Sequence, residues 1–101
     1  MFIQDGVLFK YGPQDITDGL LLIPENVHTI AKDCGINCFG LKVITVLEGV
    51  KLIEENAFAN CEDLQLVVFT DACRAKVHNS AFNVNGEKVD MILHNSIEFF
   101  D

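Results

Sequence analysis

The sequence predicts an α/β repeat rich in β structure, built as a short solenoid of stacked coils with a parallel sheet and an N-terminal β-hairpin cap. Two observations lead there: an internal repeat of 23 residues, and strand-like alternation inside each unit. Sliding the chain over itself by 23 positions carries Val27 and Ile30, the ends of a V-x-x-I, onto Val50 and Ile53. It also carries Cys38 onto Cys61 and Ile23 onto Val46, and it lays Leu41, Ile44 and Val46 on Leu64, Val67 and Phe69. After Phe69 the shift becomes 24, because Ile53 meets Val77 and Ala57-Phe58 meets Ala81-Phe82, which places a one-residue insertion near Arg74.

Each element follows from local chemistry. Residues 1–19 form an N-terminal cap, in which Phe2-Ile3-Gln4 and Val7 to Tyr11 flank Asp5-Gly6. An Asp-Gly pair between apolar runs supplies the two positive φ angles of a tight hairpin turn, so residues 2–11 read as a hairpin covering the first coil. The repeats occupy residues 20–88. In each, L-x-x-I-x-V alternates inward and outward as a half-buried strand does, and a turn follows at Pro24-Glu25-Asn26, Leu47-Glu48-Gly49 and Thr70-Asp71-Ala72. The run from Glu54 to Cys61 is too short for a secure helix and reads as a helical turn leading to the next strand. Residues 89–101 form a partial repeat or C-terminal cap: Met91-Ile92-Leu93 is the final strand, with Ile97, Phe99 and Phe100 folding over it.

The succession L-x-x-V-x-I-P, V-x-x-I, A-F-x-x-C resembles the BspA-like leucine-rich repeats of many bacterial and some protist proteins. Ala57-Phe58-Ala59-Asn60-Cys61 matches the last element fully, Ile23-Pro24 with Val27 and Ile30 matches the middle, and Ala81-Phe82 matches in part. The period lies within the roughly 20–29 residues of leucine-rich repeats and below the ~33–34 of helical-hairpin repeats. The pattern departs at Cys34-Gly35, where Ala-Phe is expected, and at Asn85, where Cys is expected. The resemblance implies a right-handed solenoid with a parallel sheet on one face, protein binding as the activity, and no catalytic site.

Charge narrows the partners. A formal charge of −8 repels phosphate backbones and anionic membrane surfaces, so nucleic acid is not an expected partner. Charged residues or His interrupt every apolar run before the ~18–20 residues of a membrane span, so membrane insertion is not expected either. The first residues lack the basic and apolar regions of a secretory signal, which implies a cytoplasmic protein if the chain is complete. A piece of a longer protein would instead be compatible with the cell surface or secretion.

With Leu41, Ile44 and Val46 inward, the opposite phase of each strand puts Leu20, Leu22, Val43, Thr45, Leu66 and Val68 on the open face of the sheet. Solvent-facing sheet positions are ordinarily polar, and an apolar column there marks a candidate protein-binding face, for a protein partner or a second copy of the chain. Cys34 and Cys38, with Cys61, Cys73, His28 and His78, contain only one short cysteine spacing, against the paired spacings of zinc sites. They read as buried thiols, with no metal and no cofactor expected; a disulfide is the lesser alternative. Glu54-Glu55, Glu62-Asp63 and Glu87 to Asp90 fall in expected turns, His94 stands alone near the last strand, and no phosphate-cradling glycine motif is present. The sequence thus predicts a non-enzymatic interaction module. A self-assembling structural piece and a thiol- or zinc-dependent enzyme are the alternatives.

Overall fold

A coil that cannot bury its own apolar face stabilises it against a neighbour bearing the same side chains at the same places. The computed structural model, which describes residues 1–93 and 96–101, shows this stacking along two sheets rather than one. In the four-stranded sheet, β3 (Leu20–Leu22), β5 (Val43–Val46), β7 (Leu66–Phe69) and β11 (Asp90–Ile92) run parallel and in chain order. The six-stranded sheet takes β1 (Phe2–Gln4), β2 (Val7–Lys10), β4 (Thr29–Ile30), β6 (Leu52–Ile53), β8 (Lys76–His78) and β12 (Glu98–Phe100). All its pairings are parallel except β1 with β2. The second half of each V-x-x-I segment is therefore a short strand in its own right, and the chain alternates between the two sheets once per coil.

The pairing registers reproduce the periodicity. Leu21, Ile44, Val67 and Met91 form one inward column, and Leu8, Ile30, Ile53, Val77 and Phe99 form another. Of these nine only Met91 and Phe99, at the C-terminal end, are incompletely buried. The change of shift from 23 to 24 is located by the turns: Val27, Val50 and Cys73 each donate their backbone N–H to the carbonyl three residues back, at Pro24, Leu47 and Thr70. These turns are still 23 apart, whereas Leu52 pairs with Lys76. The extra residue lies between Cys73 and Lys76, at Arg74-Ala75.

No α-helix occurs among the described residues, in keeping with a segment after the second turn too short for one. The segment from Glu55 to Asn60 is a run of turns, with Asn56 and Asn60 in the left-handed region at φ 56° and 57°, as Asp33 and Asn37 are one coil earlier at 58° and 61°. Asn and Asp tolerate that region because a short polar side chain hydrogen-bonds locally. The N-terminal hairpin caps the first coil: its Asp5-Gly6 turn has the expected positive φ angles of 51° and 77°, and β2 pairs edge to edge with β4, lengthening the six-stranded sheet. One expectation about the C-terminal end is corrected: Phe99 and Phe100 do not fold over the last strand but belong to β12, which adds to β8 in register. Similarly Glu87-Lys88 is not a turn but β10, paired antiparallel with β9 (Asn83–Val84) across Asn85-Gly86, at φ 51° and 83°. That hairpin explains why Asn85 replaces the expected Cys: the tight turn needs positive φ there.

The missing aromatic at Gly35 has an explanation that spans the fold. Phe58 and Phe82 stack with ring centroids 5.6 Å apart and planes 3° from parallel. One coil earlier the equivalent position is Gly35, and the ring of Tyr11, arriving from the N-terminal segment, takes the vacant place 5.7 Å from Phe58. A Cβ on Gly35 would stand 2.3 Å from Tyr11 Cε1. Gly35→Ala is therefore expected to destabilise by about 1–3 kcal/mol, the usual range for overpacking, although it adds the side chain nearer to the repeat pattern. A urea denaturation midpoint equal to the parent's would show that Tyr11 is not fixed there.

Candidate interaction face

Strand alternation puts successive side chains on opposite faces, so the residues between the buried columns must point away from the core. In the four-stranded sheet Leu21, Ile44, Val46, Val67 and Phe69 are buried, and the outward positions form two rows across the strands. One row is Leu20, Val43, Leu66 and Asp90; the other is Leu22, Thr45, Val68 and Ile92. Leu20, Leu22 and Ile92 are more than half exposed, while Val43, Thr45, Leu66 and Val68 are half-buried by their neighbours. With strands about 4.8 Å apart the rows extend roughly 14 Å across the sheet. The structure thus brings all six residues singled out from the sequence onto one surface, and adds Ile92 and Asp90. Asp90 is the one charged group of these eight positions in a chain with fifteen acidic residues.

The remaining surface differs. The groove along the turns is lined by Glu25, Leu47, Glu48, Gly49, Thr70 and Ala72, holds about 570 Å³, and is open and acidic. On the six-stranded side a cleft of about 310 Å³ is lined by Lys32, Leu52, Glu54, Glu55, His78 and Phe100. There His78 Nδ1 lies 2.8 Å from Ser80 Oγ and its ring meets Phe100 edge-on. His28 bridges the Asp5 carbonyl and Thr29 Oγ1, bracing the hairpin against the first coil. His28 and His78 thus each have a structural contact. His94 lies outside the described residues.

All four cysteines are free thiols, and Cys34, Cys61 and Cys73 are buried. Cys38 departs from the expectation of buried thiols: it is half-exposed at the rim of the core. Burial pushes Cys34 up to about 12, with Cys38 adding to it, and Cys61 up to about 11, partly offset by a hydrogen bond from the Cys38 backbone; burial raises Cys73 as well. Cys61 Sγ donates to the Gly35 carbonyl at 3.0 Å. Tyr11's hydroxyl is buried without a hydrogen-bond partner of ordinary geometry, and burial, with Cys38 and Cys61 beside it, holds it strongly in the protonated form. Among the described residues no three or more His, Cys, Asp or Glu side chains converge as metal ligands. No helix among them is long and apolar enough to cross a membrane.

Parallel strands joined once per coil, inward columns repeating every 23 or 24 residues, and a flat outward face define a leucine-rich-repeat solenoid, an architecture that commonly presents binding surfaces. The family model described as the BspA type leucine rich repeat region (6 copies) matches residues 15–101, and the chain belongs to that family. No curated protein and no solved structure matches it.

Proposed function

We propose that the chain is a non-enzymatic interaction module that takes a protein partner on the outer face of its four-stranded sheet. The observation that carries this reading is the pair of mostly apolar rows on that face, with Asp90 their one charged group, in a protein whose two larger described grooves at the turns and on the six-stranded side include glutamates. A partner with a complementary apolar strip gains roughly 25 cal/mol for each Å² of apolar surface removed from water. Lone exposed leucines are ordinary, but in-register columns of them are not. The non-enzymatic part of the reading is supported by the thiols: Cys34 and Cys61 are held protonated by burial, so neither is a standing thiolate at neutral pH.

Leu66→Lys with Val68→Lys is expected to leave a folded monomer and to weaken, by tenfold or more, a binder selected from a displayed library on the parent chain. Leu52→Lys, on the other sheet, is expected to leave that binding unchanged. Unfolding of the double variant would assign these side chains to the core and overturn the proposal. Undiminished binding would move the interaction to another face.

A specific observation favours self-association as a second reading. Strands β11 and β12 each have one hydrogen-bonded neighbour, and Ile92, Leu93 and Phe100 are exposed beside them. Such edges can pair with a second copy. The mass in solution by light scattering separates the readings: a dimer that dissociates on Ile92→Lys supports assembly, and a monomer at high concentration removes it.

A further inference from the structure

Cys38 and Cys61 occupy one repeat position in adjacent coils, and the backbone sets them opposite each other. Gly35 N–H donates to the Ala57 carbonyl at 2.6 Å and Asn37 N–H to the Ala59 carbonyl at 2.9 Å. In this lattice a donor at one residue and an acceptor on the next coil mark the pairing one position earlier, as Ile23 N–H to the Thr45 carbonyl goes with Leu22 opposite Thr45. Cys34 therefore faces Ala57 and Ile36 faces Ala59, and two residues further on the Cys61 side chain lies against the backbone and thiol of Cys38. Adjacent coils hydrogen-bonded backbone to backbone in this way lie about 4.8 Å apart, within the Cα separation of roughly 4.4–6.8 Å that a disulfide spans.

Their environments are unequal. Cys61 is fully buried and hydrogen-bonded to the Gly35 carbonyl, whereas Cys38 is half-exposed. A cleft of about 80 Å³, lined by Tyr11, Gly12, Pro13, Ile16, Cys38 and Phe39, opens onto it. That exceeds the ~30 Å³ share of a water in the liquid, so a small oxidant has room beside the Cys38 sulfur and none beside Cys61.

We propose that Cys38 and Cys61 form a reversible, peroxide-driven disulfide that staples two adjacent coils. The Cys38 sulfur attacks one oxygen of hydrogen peroxide, the O–O bond breaks, and a sulfenic acid and one water result. The Cys61 sulfur then swings off the Gly35 carbonyl and attacks the Cys38 sulfur. The S–O bond breaks, the departing hydroxide takes the Cys61 proton as a second water, and the S–S bond forms. Two thiols have lost two electrons to one peroxide. A thiol reductant returns both cysteines. Cys34, fully enclosed and facing an alanine, takes no part, and the thiols of Cys73 and Cys61 belong to different columns of the repeat.

The test treats the native chain with hydrogen peroxide and measures its intact mass, reactive thiols and thermal midpoint. The expected result is a loss of about 2 Da, two hydrogens, with fragment ions joining Cys38 to Cys61, a higher midpoint, and reversal by dithiothreitol. Cys34→Ser with Cys73→Ser is expected to retain the cross-link and Cys38→Ser to abolish it. Cys61→Ser is expected to stop at a sulfenic acid on Cys38, trapped by dimedone. Fragment ions joining Cys34 to Cys38, over-oxidation of Cys38 in the native chain without a cross-link, or a cross-link persisting in Cys38→Ser would each overturn the proposal. The fragment assignment uses the native chain alone and holds even if a variant at a buried cysteine fails to fold.

Discussion

Val67→Lys is expected to unfold the protein at neutral pH, while Leu66→Lys, one residue away, leaves it folded. Val67 is fully buried in the column between Ile44 and Met91, and no charged side chain is buried among the described residues to pair with an ammonium group. An unpaired charge there belongs to the class of substitutions that cost about 4–5 kcal/mol or more, against a total stability of about 5–15 kcal/mol for a domain of this kind. Leu66 points outward, and its replacement is expected to cost about 1 kcal/mol. Circular dichroism with urea denaturation checks both. The sign of the pH dependence follows from linkage. Burial disfavours the charged amine, so the unfolded chain of Val67→Lys binds more protons than the folded one, and stability returns as the pH rises toward the amine's ordinary range. Equal stability of the two variants would invert the phase of the sheet and remove the candidate face with it.

The second large effect is expected at Phe58→Ala. Phe58 is fully buried between two rings, Tyr11 at 5.7 Å and Phe82 at 5.6 Å, so truncation opens a cavity that neither neighbour can fill without leaving its own coil. A loss of about 3–5 kcal/mol is expected from transfer and cavity terms together, read as a lowered urea midpoint. Phe39→Ala removes the same ring from a site 74% exposed and is expected to change stability by no more than about 0.5 kcal/mol. Because each coil touches only its neighbours, Phe58→Ala is also expected to loosen the N-terminal hairpin, whose Tyr11 loses its support. Faster amide exchange at residues 7–11 than at β7 would show that coupling.

Much of the architecture is legible because it is repeated. Val27, Val50 and Cys73 take the same turn, and Ile44 and Val67 take the same inward site, so a shift seen in the letters is a distance seen in space. The outward phase of Leu20, Leu22, Val43, Thr45, Leu66 and Val68 followed from alternation alone. The second parallel sheet was less visible, because two-residue strands such as Thr29–Ile30 and Leu52–Ile53 are too short to show a period of two. Their strand character comes from hydrogen bonds to the coils on either side. The hairpins at Asp18-Gly19 and Asn85-Gly86 carry the tight-turn dipeptide, with positive φ at all four residues, but their flanks lack the clear apolar alternation that marks Asp5-Gly6 in the sequence.

The amino-acid sequence by itself determined which coil stacks on which: side chains recurring every 23 or 24 positions bury one another most completely when like lies on like, so period, register and inward phase follow from the order of residues. Only the tertiary structure decided what the unrepeated residues do. Tyr11 fills the space over Gly35, Cys38 stays half-open while Cys61 is enclosed, and β12 extends a sheet instead of closing over its end. Nothing in a period specifies these, because each depends on the space left when identical coils are laid side by side and one of them lacks a side chain that its neighbours have.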